Sequence, residues 1–272
     1  MQRLIVTLTT DFGLSDHFVG TMKGVILHVA PHARIVDICH ALEPFDILGA
    51  ALTLGEAYGY FPPGTVHVVV VDPGVGSARR PILASSGGHA FVAPDNGVLS
   101  LVYAREELRE VRHVTSDHYF LRPASSTFHG RDIFAPVAGN LANGVEAEKF
   151  GPEITDYVRF EVPRPEPVDA HTLRGVVLKV DRFGNLITNF TPRDVPALFE
   201  RRTGFKIRVG RSEVTALRAS YSEGASGEVF AILGSMGYLE ISTNRGAASQ
   251  LTGAANGTEV QVSLEGALAA ER

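Results

Sequence analysis

The run from Val66 to Asp72 constrains the fold more than any other stretch of the chain. Five of its seven residues are valine. A run so rich in β-branched side chains reads as a strand covered on both faces, as in a parallel sheet with helices above and below it. The run ends on a carboxylate, Asp72. Pro73-Gly74-Val75-Gly76-Ser77 then turns tightly enough for backbone to approach a ligand. In open α/β sheets, ligands bind outside the carboxyl ends of the strands. A carboxylate there, with Arg79 and Arg80 following, is a candidate reaction centre.

The flanking pattern extends this reading. Residues 4–8 predict a first strand, and Asp16 is placed to cap a helix over 17–30 that Pro31 ends. A short strand is expected over 34–38. Helical periodicity over 46–60 is stopped by Pro62-Pro63-Gly64. Residues 82–85 and 90–92 suit a hairpin around Gly87-Gly88, and 97–106 and 133–143 read as helices. Strands alternating with helices predict an α/β N-terminal domain over 1–162 with a central, largely parallel sheet. The alternating prolines from Val162 to Pro167 cannot pair inside a sheet, which assigns a linker to 163–169. Short apolar runs at 175–180, 205–209, 229–233, 238–242 and 258–262, between glycine-rich turns, predict a smaller all-β, barrel-like C-terminal domain over 170–272.

Bulk properties exclude several function classes. The length of 272 residues suits one large domain or two modest ones. Net charge is −5, so neither nucleic acid nor a membrane surface is an expected partner. A single cysteine, Cys39, allows no intrachain disulfide and no zinc pattern. The first residues are too short for a signal peptide and no apolar run reaches membrane length, so a cytoplasmic location is expected.

Several strings carry chemistry, each with a plainer alternative. In Thr9-Thr10-Asp11-Phe12-Gly13, an Asp at a strand end can accept hydrogen bonds from the vicinal hydroxyls of a ribose, or can cap its own loop. The Asp-Phe-Gly triplet stands too near the start to follow a kinase nucleotide lobe. Gly74 to Arg80 lacks the Gly-Lys-Ser/Thr ending of a phosphate loop, and Arg79 is either catalytic or a surface arginine. In Thr127-Phe128-His129-Gly130-Arg131-Asp132, a histidine beside a glycine is a site residue or a solvated one. His17, His28, His32 and His40 lack ligand spacing and read as surface or capping residues, so no metal is expected. Asp181-Arg182-Phe183-Gly184-Asn185 and Ser235-Met236-Gly237-Tyr238-Leu239-Glu240, with Asn244 beyond, are polar clusters that turn chemistry alone also explains.

Together these strings resemble the S-adenosyl-L-methionine hydroxide adenosyltransferases and their relatives, the fluorinase and chlorinase. Seven stretches carry the likeness in the family's order: 9–16, 40–46, 71–80, 93–97, 127–134, 181–189 and 235–244. Halogenases have tyrosine where Asp72 and His129 stand, and the fluorinase has a long insertion near Ser86-Gly87-Gly88. The hydrolytic branch has an Asp, an Arg and a His that match Asp72, Arg79 and His129. The resemblance therefore implies hydrolysis of S-adenosyl-L-methionine to adenosine and methionine, by in-line attack of an activated water on the ribose 5′ carbon. It implies Asp11 on the ribose hydroxyls and Phe45 along the sugar. Phe183 and Tyr221 would sandwich the adenine, and Asn185 would read its edge. Asp181 would meet the amino group and Ser235 the carboxylate, with Met236 standing where halogenases have an arginine. No cofactor is implied, since S-adenosyl-L-methionine is the substrate. A homotrimer is implied, with sites between the N-domain of one subunit and the C-domain of the next. Two other readings stay open: a halide-using adenosyltransferase of the chlorinase type, and a non-catalytic adenosine- or S-adenosyl-L-methionine-binding protein.

Overall fold

The computed structural model describes residues 4–265, and the chain divides after residue 161 into two compact units. The first unit is built from β1 (Ile5–Thr10), α1 (Phe18–Val29), β2 (Arg34–Cys39), α2 (Ile47–Ala57), β3 (Val66–Val70), β4 (Pro81–Ser86), β5 (His89–Pro94), α3 (Ser100–Arg105), β6 (Leu108–His113) and α4 (Ala135–Ala142). Its sheet runs β2-β1-β3-β5-β4-β6. β1 pairs in parallel with β2 and β3, and β3 in parallel with β5, while β4 is antiparallel to both β5 and β6. The sheet is thus mixed. The reversal comes at Gly87-Gly88, both at positive φ, which make the two-residue turn that suits a twisted hairpin.

β3 is buried along its whole length, and its valines divide by parity. Val66, Val68 and Val70 pack into one core with Met22, Ile26 and Phe134, beneath α1 and α4. Val69 and Val71 pack into a second core with Ala50, Leu54 and Val102, beneath α2 and α3. Two-sided cover explains why the strand has no polar alternation.

Two local expectations are corrected. Asp16 does not cap α1: the N-cap position is His17 and makes no side-chain cap bond. Asp46 does cap α2, its Oδ1 accepting the Gly49 N–H at 2.8 Å. The edge strand β6, Leu-Arg-Glu-Val-Arg-His, has a single fully buried residue, Val111, and so offers no apolar signal. The helix expected over 133–143 is entered through a π-helical turn at Gly130–Phe134.

The second unit comprises β7 (Glu166–Pro167), β8 (Thr172–Val180), β9 (Leu186–Thr188), α5 (Pro196–Arg201), β10 (Phe205–Val209), β11 (Ser212–Val214), β12 (Leu217–Arg218), β13 (Val229–Leu233), β14 (Leu239–Thr243), α6 (Ala248–Thr252) and β15 (Glu259–Leu264). One sheet runs β11-β10-β15-β8-β9-β14-β13-β12, with β7 added against β8. Its two edge strands, β11 and β12, are separated in sequence by residues 215–216 alone, a span of at most about 10 Å. The sheet must therefore curl, and it forms a half-barrel around Val177, Leu186, Phe190, Ile207, Ile241 and Val260. The unit is not all-β: α5 starts at Pro196, whose fixed φ suits a first helical position, and α6 stops at Gly253 in the left-handed region. Nor is the proline segment a plain linker. Glu166 and Pro167 pair with Arg174 and Leu173, at an edge where a missing N–H is tolerated. Among the described residues no helix is long and apolar enough to cross a membrane.

Candidate active site

In the first unit the site grows from the carboxyl ends of β1 and β3. Asp72 follows β3 after one residue, Val71, and the turn beyond it closes through Val75 N–H to Asp72 O (3.2 Å) and Ser77 N–H to Gly74 O (3.1 Å). Gly76 sits at φ +77°, and a Cβ there would lie 2.3 Å from the Ser126 carbonyl. Glycine therefore lets the segment carrying His129 lie against this turn. That segment is tied down by Asp132. Its buried carboxylate accepts Ser125 N–H at 2.8 Å and two N–H groups of Arg131 at 2.6 and 2.9 Å.

These supports bring Asp72, Arg79 and His129 into one hydrogen-bonded chain. Arg79 Nε donates to Asp72 Oδ1 at 2.8 Å and to Oδ2 at 3.0 Å, and its Nη2 also pairs with Oδ2. The same Nη2 donates to His129 Nδ1 at 2.9 Å. Both ion-pair side chains are buried, Asp72 being 5% and Arg79 9% exposed, and the guanidinium lies over the Phe134 ring at 5.1 Å. Arginine never gives up its proton in proteins, so His129 Nδ1 must be the acceptor and Nε2 carries the hydrogen. Burial, and then the positive charge of Arg79, lower the His129 pKa below its ordinary value, in keeping with a neutral ring. The buried Arg79 Nη1 has no partner among the described residues.

Asp72 and His129 line a cavity of about 300 Å³ with Asp11, Phe45, Phe128 and Val75, and Arg79 ties the first two together outside that lining. Asp11 Oδ2 accepts the Phe45 N–H at 2.9 Å. Phe45 is held at φ +68°, uncommon for an aromatic residue, with its ring 70% exposed. His40 is not a surface residue. It is buried, with Nδ1 2.8 Å from Thr10 Oγ1 and Nε2 3.1 Å from Asp37 Oδ1, and its carbonyl accepts the Gly13 N–H at 2.7 Å. It joins the Asp11 loop to the loop that carries Phe45.

The second unit bears a separate cavity of about 900 Å³, lined by Asp181, Phe183, Asn185, Tyr221, Ser235 and Met236 together with further residues. Asp181 organises its own turn. Oδ1 accepts the Phe183 and Asn185 backbone N–H groups at 2.9 and 2.8 Å, and Oδ2 accepts the Asn185 side-chain amide at 2.8 Å. That bond fixes which end of the Asn185 amide is the donor and which the acceptor. The two aromatic rings are open to solvent, Phe183 at 76% and Tyr221 at 45%. Sequence reasoning gave no role to Lys179, Arg245 or Glu240, which also line the cavity. The signal for Glu240 was a charge inside the apolar run Leu239-Glu240-Ile241. Among the described residues no group of three or more His, Cys, Asp or Glu is placed to hold a metal ion.

Residues 6–151 match the family profile described as the SAM hydroxide adenosyltransferase N-terminal domain, and residues 175–261 match its C-terminal domain. The chain is 37% identical to a Thermus thermophilus protein named (R)-S-adenosyl-L-methionine hydrolase, over 94% of this chain and 98% of that one. It is 30% identical to a fluorinase of Nocardia brasiliensis, over 97% and 98%. A crystal structure of a conserved protein from Thermotoga maritima superposes with a TM-score of 0.86 at 38% identity, covering 95% of this chain and 99% of that one.

Proposed function

The chain belongs to the SAM hydroxide adenosyltransferase family, and from that premise we propose that it hydrolyses S-adenosyl-L-methionine to adenosine and L-methionine. The observation that carries the reading is the Asp72–Arg79–His129 chain at the end of β3. Water attacks the 5′ carbon in line with the sulfur. The new C–O bond forms as the C–S bond breaks, its electron pair goes to sulfur, and methionine leaves as a neutral thioether. One water proton is shed and the other remains on the new 5′ hydroxyl. Asp72 Oδ1 takes a single donor from Arg79 and keeps a lone pair for the attacking water, so the carboxylate is the proton acceptor. His129, with its hydrogen on Nε2, is a donor that orients the same oxygen. Arg79 fixes both partners. The sulfonium is itself the leaving group, so no cofactor is called for.

Asp11 holds the ribose hydroxyls beside Phe45. Phe183 and Tyr221 take the adenine, Asn185 its edge, Asp181 the amino group, and Ser235 with Met236 the carboxylate end. Each unit offers only part of this set. In keeping with the family resemblance, one substrate is held by the first unit of one subunit and the second unit of a neighbour, in a homotrimer. The exposed rings of Phe45 and Phe183 suit such a shared, covered site. The net charge and the absence of a long apolar helix among the described residues fit a cytoplasmic protein.

A buried carboxylate at the attack position repels halide, which disfavours the chlorinase-type reading. In heavy-oxygen water with chloride present, the 5′ hydroxyl of the released adenosine should carry the label. Unlabelled adenosine, a 5′-chloro product or 5′-methylthioadenosine would sink the proposal. Tight binding with no turnover would leave the non-catalytic reading.

A further inference from the structure

The second unit buries a carboxylate that the proposed reaction does not use. Glu240 is the second residue of β14, a strand buried along its length, and is itself only 5% exposed. Its neighbours across the sheet are Ile232 and Ile187, so an aliphatic residue would fit the row. Placing a carboxylate there is costly unless a donor meets it. The donor is the Tyr221 hydroxyl, 3.1 Å from Oε2. On the other side the carboxylate packs on backbone, since a Cβ on Gly234 would fall 1.8 Å from Oε1. Glu240 is thus wedged between a glycine and one phenol.

Tyr221 needs such a tether. It opens a three-residue 3-10 turn, Tyr221–Glu223, and its ring is nearly half exposed at the cavity edge. Without the bond to Glu240 the ring would be free to turn outward.

We propose that Glu240 is a positioning residue for the adenine slot, its carboxylate pinning the Tyr221 hydroxyl so that the ring stands as a fixed wall before the nucleoside arrives. This rests on the assignment of Phe183 and Tyr221 to adenine made above. Pinning the ring in advance removes the ordering cost from binding. A carboxylate serves better than a neutral acceptor because a charge-assisted hydrogen bond is stronger. Burial raises the Glu240 carboxyl pKa, the Tyr221 hydrogen bond opposes that rise, and the negative Asp181 adds to it.

The test is a mutant cycle read by steady-state kinetics and calorimetry on the full chain. Glu240→Ala and Tyr221→Phe should each raise KM and the adenosine Kd by roughly 3- to 10-fold, the size expected for one unfrozen side chain, with kcat within about twofold. The double variant should be no worse than either single one. Glu240→Gln keeps an acceptor of the same shape, so it should fold normally and recover most of the affinity. Methionine affinity should not move in any of them. Additive losses, a silent Tyr221→Phe, or a loss of methionine binding equal to that of adenosine would overturn the inference and leave Glu240 as structural or as a reader of the ammonium. If the parent hydrolyses its substrate but the cycle fails, only this inference falls. If the parent binds no adenosine, the assignment beneath it falls as well.

Discussion

Arg79 sets what its two neighbours can do. One nitrogen, Nη2, reaches both Asp72 and His129, so the guanidinium fixes the histidine tautomer and the carboxylate orientation at once. A lysine would keep the charge and lose the fork, because a single ammonium on a flexible stem cannot reproduce that planar geometry. Arg79→Lys is expected to lower kcat by about 10²-fold or more while calorimetry shows near-native adenosine affinity. Asp11→Ala, by contrast, should weaken adenosine. Equal losses of affinity in both would break the division between groups that address water and groups that address ligand. Asp11, Asp72, His129, Asp181, Phe183 and Asn185 stand out in the sequence because each sits in a short string with its own turn glycine, whereas Phe45 and Tyr221 enter only through the family resemblance. The roles of Asp132 and Glu240 were not. Asp132 acts by holding a loop, and Glu240 meets a tyrosine 19 residues upstream, so neither role exists until the chain is folded.

The valine strand shows what element-level reasoning captures. Its length, its two-sided burial and the carboxylate at its end all follow from residues 66–72. What that reading passed over is His67 within it. His67 is fully buried, bonded through Nδ1 to Thr7 Oγ1 at 2.8 Å, set 3.3 Å from His89 Nδ1, and stacked on Phe91. Burial, then the neighbouring His89, lower its pKa from 6.5 to about 3. The unfolded chain takes up this proton as pH falls below about 6.5, and the folded chain holds it off until near 3, so acid favours unfolding across that window. One such histidine contributes a slope of about 1.4 kcal/mol per pH unit within it. Chemical denaturation at pH 7, 6, 5 and 4.5 should show stability dropping toward the acid end, and less steeply in His67→Gln. Parallel slopes would mean the proton is taken up elsewhere. Five strands escaped the sequence: β7, β9, β11 and β12 have two or three residues each, too few to display a period of two, and the six-residue β6 buries only Val111 fully.

At the scale of the whole molecule, the proposed site is assembled from pieces that no single unit carries. Asp11 belongs to the first unit and Asp181 to the second. If one ligand meets them from different subunits, mixing inactive Asp11→Ala with inactive Asp181→Ala protomers should restore part of the activity, since some interfaces then hold both carboxylates. Absence of recovery after demonstrated subunit exchange would place the site within one chain. The same scale gives meaning to the two residues, 215 and 216, that separate β11 from β12. Sheets aggregate through their rims, where a long row of unpaired amides invites a stranger's strand. Here the rim strands have only three and two residues, and the short link holds one close to the other. A unit that exposes the aromatic rings of Phe183 and Tyr221 thereby offers little backbone for indiscriminate pairing: it can be sticky by side chain without being sticky by main chain.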